Sequence, residues 1–249
     1  MRVGVVVKTL CLTSWGTGRE RFEADIVTSK IKEDVPVIPS SSLKGVLRTS
    51  VIWAAKILKR HNLITSNPCL GVKPDSRRSP CGQCPICALF GYPGGPLPPL
   101  KVTPMFLVNS ENDALKVFEK EDLLRGNYTP KAENLIQEIT FIKIDDKTGT
   151  VARGALFTAE VVPPEVLFYG EILLKMGILK KRFREEELAE ILRTFFAGLL
   201  YMRYADMGHR GAVKIVKVFA RFSKDEKLIV ERDPLISKLV KALGVEYDI

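Results

Sequence analysis

The chain has 249 residues, 46% of them hydrophobic, which is enough for one large domain with a sizeable core and too apolar for a disordered segment. Lys and Arg number 38 against 29 Asp and Glu, so the formal net charge is +9 and the pI near 9.3, which favours a polyanionic partner, nucleic acid before membrane. No apolar run approaches the roughly 20 residues of a membrane span, and Met1–Val7 is too short, with Lys8 behind it, for a secretory leader, so no membrane association and a cytoplasmic location are expected.

Arg2 to Thr13 alternates and is rich in Val and Leu, the pattern of a core strand, and Thr13–Gly18 breaks it with turn residues. Arg19 to Asp34 is charged and irregular, a surface loop holding Glu20, Glu23, Asp25, Glu33 and Asp34. Pro36 to Arg48 then reads as an extended arm, a serine turn and a helix start. Pro36 and Pro39 keep the approach extended, Ser41 or Ser42 is placed to cap the helix, and the open N–H groups of a helix start attract anions. Lys44 and Arg48 stand i, i+4 on one face, while Leu43, Leu47, Val51, Ala54 and Leu58 form the other. A plain surface helix with two solvated cations has the same spacing. The helix is expected over 42–60.

Four of the five cysteines lie between Cys69 and Cys87, which suits a metal site better than a disulfide framework. Cys81-x2-Cys84-x2-Cys87 with Cys69 twelve positions earlier can close a tetrahedral Zn2+ site. An iron–sulfur cluster competes, but Gly91 stands where a ferredoxin motif carries its fourth cysteine. His61 is the alternative fourth ligand. Four protein ligands leave no open position, so the metal is expected to hold a lid-like insertion over 61–100 and do no chemistry. Arg77 and Arg78 stand beside it as two cations suited to a polyanion.

The segment 92–99 is linker-like, 101–109 a strand, and 116–125 a short helix. Strands follow over 138–145, 155–162 and 166–174, with Pro163-Pro164 barring continuous pairing. Glu185-Glu186-Glu187 opens a second long helix whose buried stripe is Leu188, Ile191, Leu192, Phe195 and Leu199. Gly208 can end it, and Gly208-His209-Arg210-Gly211 leads into an alternating strand over 212–219. The glycines of that loop let backbone N–H groups approach a phosphate. A C-terminal helix is expected over 233–244. The order strand, helix, strands, helix, strand predicts an α+β fold with a ferredoxin-like, RRM-type core.

Ile38-Pro39-Ser40-Ser41-Ser42-Leu43-Lys44-Gly45 followed by Arg48 resembles the motif of the RAMP superfamily, the RNA-binding subunits of CRISPR effector complexes. The likeness is closest to the Cas7-like backbone subunits of type III (Csm/Cmr-type) complexes, which usually carry Gly where this chain has Ser40. Cys87-Ala88-Leu89-Phe90-Gly91 is similar to the end of that family's cysteine clusters. The series from Ile144-Asp145 through Thr148-Gly149, Val151-Ala152, Leu156-Phe157 and Glu160 to Val162-Pro163 is similar to its thumb, a β-hairpin that wedges between RNA bases. Gly208-His209-Arg210-Gly211 resembles a reduced form of its Gly-rich basic loop.

The resemblance implies a single RAMP domain over 1–249 with two insertions, the cysteine lid and a thumb region over 126–165. It implies a guide-RNA-binding subunit that positions complementary target RNA and cleaves it as a metal-dependent endoribonuclease. Ser41, Ser42, Lys44 and Arg48 would hold the guide backbone, with Lys143, Lys147 and Arg153 of the thumb and Gly208, His209, Arg210 and Gly211 of the loop as further RNA contacts. Asp25, eleven residues before Pro36, matches the family's catalytic Asp, with Asp34 the weaker candidate and Mg2+ or a similar ion assisting. The implied partners are guide and target RNA, copies of the chain or paralogous RAMP subunits in a filament, a large polymerase-like subunit and small helical subunits. A non-catalytic scaffold paralogue and a guide-processing endoribonuclease are the two alternatives.

Overall fold

The first strand, β1 (Arg2–Thr9), runs through the middle of the sheet and is buried on both sides. Its odd-numbered valines, Val3, Val5 and Val7, enter the main core, while Val6 enters a smaller cluster on the opposite face. Side chains alternate along a strand, so one run of valines serves two layers. The structure is a computed structural model, and it describes residues 1–16, 26–31, 35–69, 80–130, 135–144, 149–208 and 211–247.

After β1 come β2 (Val37–Ile38), α1 (Ser40–Arg60), α2 (Pro85–Phe90), β3 (Leu100–Val102), β4 (Met105–Leu107), α3 (Glu111–Lys120) and α4 (Asp122–Arg125). A hairpin of β5 (Gln137–Ile144) and β6 (Val151–Val161) follows, then β7 (Leu167–Leu174), α5 (Met176–Arg182) and α6 (Glu185–Tyr201). The chain ends with β8 (Tyr204–Asp206), β9 (Ala212–Arg221), α7 (Lys224–Arg232), α8 (Pro234–Ala242) and β10 (Glu246–Tyr247). The main sheet is ordered β10-β9-β1-β7-β4-β2, with β3 also on β7 and β8 also on β9. Every pairing is antiparallel except β10 with β9. The result is a mixed α/β architecture around an antiparallel sheet.

The long helices α1 and α6 cover one face of this sheet. Leu43, Leu47, Val51 and Leu58 of α1 and Leu188, Ile191, Leu192, Phe195 and Leu199 of α6 are all buried in the main core. The opposite face is covered by α3, through Ala114, Val117 and Phe118 against Tyr169 and Phe219. Arg2 ties that layer down: its guanidinium stacks 4.2 Å above the Phe118 ring and meets Glu121 at 2.9 Å and the buried Glu171 at 3.5 Å. Burial pushes the Glu171 carboxyl up, against the pull of the Tyr169 hydroxyl and Arg2.

Several boundaries differ from expectation for local reasons. Neither Ser41 nor Ser42 caps α1. The helix begins at Ser40, Pro39 is the N-cap, and no side chain caps that start. Pro39 sits extended at φ −59° and ψ 143°, and its carbonyl already accepts from the N–H groups of Ser42 and Leu43. The helix expected at 116–125 starts earlier, because Ser110 accepts from Asp113 N–H at 3.1 Å, and left-handed Glu121 divides it in two. Thr103-Pro104 likewise divides the strand expected at 101–109. Gly208 does not end the second long helix. That helix stops at Tyr201, and Gly208 follows the short strand β8 with φ +89°.

The second sheet is the β5–β6 hairpin alone. Phe141 and Phe157 stack across it at 5.4 Å, while Ile142, Ile144 and Leu156 are exposed. Its base is tied to residues 26–31: Ile26 N–H donates to the Thr158 carbonyl at 3.2 Å, and Glu160 N–H donates to the Ile26 carbonyl at 2.9 Å. The buried Glu160 carboxylate then accepts from Thr28 N–H at 3.1 Å and Lys30 Nζ at 2.8 Å.

The two long helices pack closely at Gly198, where an added Cβ would stand 3.0 Å from Val51 Cα and closer still to its Cγ2. Gly198→Ala is therefore expected to force α1 off α6 and to lower stability by about 1–3 kcal/mol, despite alanine's better helix propensity. Thermal and urea unfolding of the variant check this, and a stability gain would show that the helices are not held this close.

Candidate nucleic-acid interface

No side chain among the described residues caps the start of α1, so the N–H groups of Ser40 and Ser41 are not taken up by a cap, while those of Ser42 and Leu43 donate to the Pro39 carbonyl. The packing of α1 on α6 sets this start beside the end of β8. Ser41, Ser42, Gly45 and Thr49 of α1 and Asp206 and Gly208 from the other end of the chain line one groove of about 470 Å3. Gly208 is pressed into place: a Cβ there would lie 2.9 Å from the Trp15 ring and against the Ser14 carbonyl, and its positive φ suits glycine.

Ser41 also lines a neighbouring groove of about 620 Å3, whose walls carry Lys44, Lys101 and Lys175. Three cations around one cavity give it a positive potential that Lys44 alone does not. Arg48 lies elsewhere. It lines a third cavity of about 350 Å3 with Tyr92, Pro96 and Pro98. Leu97 and Pro98 border both of these cavities, so the proline-rich segment stands between the two cations that the helix places on one face. Leu97 is 84% exposed at that ridge.

Lys101 and Lys175 carry no pattern in sequence. They lie 57 and 131 positions after Lys44 and meet it only because β3 pairs with β7 beside the start of α1. Asp25, Asp34, Arg77, Arg78, Lys147, His209 and Arg210 lie outside the described residues, as do the side chains of Lys143 and Arg153 in the hairpin. Ile26, next after Asp25, is the residue that docks on Thr158 at the hairpin base. His61 closes the C-terminus of α1.

The sulfur atoms of Cys69, Cys81, Cys84 and Cys87 lie within 4.8 Å of one another, and His61 is not among them. Four soft thiolate donors at this separation fit a tetrahedral metal such as zinc. Cys84 N–H donates to Cys81 Sγ at 3.2 Å. Burial raises the Cys81 thiol, but that N–H, the Gln83 N–H and the neighbouring thiols outweigh it and bring its pKa down to about 7. Burial pushes the thiols of Cys69 and Cys87 up. Cys84 and Cys87 belong to the main core, and every residue of α2 is buried against it. The segment before Cys69 is held as well: Glu190 of α6 accepts from the N–H groups of Thr65 and Ser66.

A family model described as the RAMP superfamily matches residues 8–205, a span that holds the serine arm, the cysteine cluster and the hairpin and ends within β8. No curated protein matches the chain in sequence. Among solved structures, a chain of the type III-B Cmr-beta complex bound to cognate target RNA, seen by cryo-EM, is similar in fold. Its TM-score is 0.50 at 12% identity, over 86% of this chain and 96% of that one. The apo state of type III-B Cmr-beta gives the same TM-score and coverage at 13% identity. The structural likeness speaks for the fold, and the family match spans most of the sequence: the chain belongs to the RAMP superfamily.

Proposed function

We propose that the chain is a guide-RNA-binding backbone subunit of a type III CRISPR interference complex, and that it positions complementary target RNA and cleaves it. The observation that carries this is the meeting of Ser41 and Ser42 with Gly208 in one groove, beside a second groove walled by Lys44, Lys101 and Lys175. Open helix N–H groups and lysines hold a sugar–phosphate backbone without reading its sequence. Pairing between guide and target then supplies the specificity. Arg48, Lys143, Lys147, Arg153, His209, Arg210 and Gly211 extend the phosphate contacts. The strand order β9-β1-β7-β4, with α1 and α6 on one face, supports a ferredoxin-like core. The exposed Ile142, Ile144 and Leu156 of the β5–β6 hairpin suit a thumb that splays a base.

Cleavage is assigned to Asp25. Its carboxylate takes the proton of the adjacent 2′-hydroxyl, or holds a divalent ion beside it. The 2′-oxygen bonds to the next phosphorus, the P–O5′ bond breaks, the departing 5′-oxygen takes up a proton from water, and the products carry a cyclic phosphate and a free 5′-hydroxyl. The anchorage of Ile26 on the hairpin supports this placing, since it sets the residue after Asp25 at the thumb base. Copies or paralogues of the chain line the guide in the cytoplasm, with a large polymerase-like subunit and small helical subunits. Zinc in the four cysteines has a structural part, fastening α2 and the segment through Cys69 to the core.

In the complex assembled with guide RNA, the double change Lys44→Glu, Arg48→Glu is expected to weaken guide binding at least about tenfold at ordinary salt. Unchanged affinity in a filter-binding assay would remove the cradle. Asp25→Ala is expected to abolish target cleavage with target binding intact, followed on labelled RNA; undiminished cleavage would leave a non-catalytic scaffold. The chain grown with Zn2+ is expected to carry about one metal per chain by atomic emission, and Cys84→Ser to lose most of it along with several degrees of thermal midpoint. A metal-free wild-type chain with reduced thiols would rule the site out.

A further inference from the structure

Exposed residues run along the outer ridge of α1 at i, i+4 steps: Ser41, Gly45, Thr49, Trp53 and Ile57. Two members of this row are costly to explain by the fold. Gly45 sits inside a helix, where glycine is destabilising by about 1 kcal/mol against alanine, yet no atom lies within 4 Å of the position a Cβ would take. Among the described residues nothing requires the missing side chain. Trp53 is 47% exposed, and across the same 470 Å3 groove Tyr201 of α6 is 50% exposed. The Lys56 ammonium stands 4.1 Å from the centroid of the Trp53 ring. The remaining anomaly is Asp206, an exposed carboxylate lining the same groove as the serines. Next to a phosphate run a carboxylate repels, unless it accepts a hydrogen bond from a donor.

We propose that the groove between α1 and β8 is a ribonucleoside pocket: the base lies against Trp53 and Tyr201, and Asp206 accepts the ribose 2′-hydroxyl. This rests on the RNA-binding reading above and goes beyond it, since the cradle there is indifferent to both base and sugar. Base stacking on aromatic side chains tolerates any sequence, as a guide subunit requires. The 2′-hydroxyl is the group by which a protein tells RNA from DNA, and it is a donor where a phosphate is not. Gly45 leaves the floor of the groove flat so that a nucleoside can approach the helix backbone, and the Lys56 cation is close enough to the stacking surface to serve the adjoining phosphate. Volume agrees, because small-ligand sites occupy roughly 300–1,000 Å3.

The test uses the full chain with a fluorescent oligouridylate and the matching oligodeoxyuridylate, compared by anisotropy. Wild type is expected to prefer the RNA. Trp53→Ala and Tyr201→Ala should each weaken both ligands about tenfold, with Trp53→Phe restoring most of the loss. Asp206→Ala should weaken the RNA about tenfold while leaving the DNA unchanged or tighter, so that the preference disappears. Gly45→Ala should raise the thermal midpoint and weaken both ligands. Equal tightening of RNA and DNA by Asp206→Ala would show a carboxylate that only repels phosphate, and would overturn the pocket. So would aromatic variants that bind as wild type while Lys44→Glu does not, which would leave the RNA-binding reading standing. A change of oligomeric state in light scattering, without a change in affinity, would make this face a contact between copies and overturn it as well. Wild type that binds neither oligonucleotide would overturn both.

Discussion

The close crossing of α1 and α6 is the constraint on which the rest of the structure depends. Gly198 lets the two backbones approach at Val51, and the apolar stripes of both helices then close over the sheet. Helices packed so tightly behave as one rigid body, because a close-packed interior has no slack for sliding. Whatever follows α6 is consequently fixed in relation to the start of α1. The chain leaves α6 at Tyr201, forms β8 against β9, and reaches Gly208 beside Ser42. A groove built from residues 41–53 and 201–208 is thus a by-product of helix packing.

The second determinant is how α1 starts. Proline as N-cap sets an extended backbone and offers no side-chain acceptor, so the N–H groups of Ser40 and Ser41 are not taken up by a cap side chain. A serine at the cap would have stabilised the helix by about 1 kcal/mol by accepting from such a group. Together with Gly45, this makes two places where α1 gives up local stability in its first turns. Sites of that kind are where function commonly overrides propensity.

Positive charge is distributed by topology. β3 and the end of β7 carry Lys101 and Lys175 to the groove that Lys44 lines, whereas Arg48, one turn on, faces the proline-rich segment that follows α2. The cysteine cluster bears on this indirectly. With α2 buried and Gly91 leading directly out of it, the cluster positions 92–98 as the ridge between the two cavities. At the hairpin base, Glu160 fastens residues 26–31 to the hairpin through one backbone and one side-chain donor. The segment that continues from Asp25 is thereby bound to the hairpin.

By itself the sequence determined the elements with strong periodicity, because a buried stripe is written at every third or fourth residue. The valine-rich first strand, the two long helices, the α6 stripe and the tight cysteine group follow from local spacing, and the serine arm was specific enough to point to the superfamily. The short elements escaped it. β8, α5 and the division of 101–109 and 111–125 depend on single caps or on pairing with distant strands, which no window of residues contains. The grooves were beyond it for the same reason. Lys101 and Lys175, Trp53 and Tyr201, and Asp206 with Ser42 are neighbours only once the helices have crossed and the strands have paired, and the cost of closing those long loops is met by core burial that the tertiary structure alone provides.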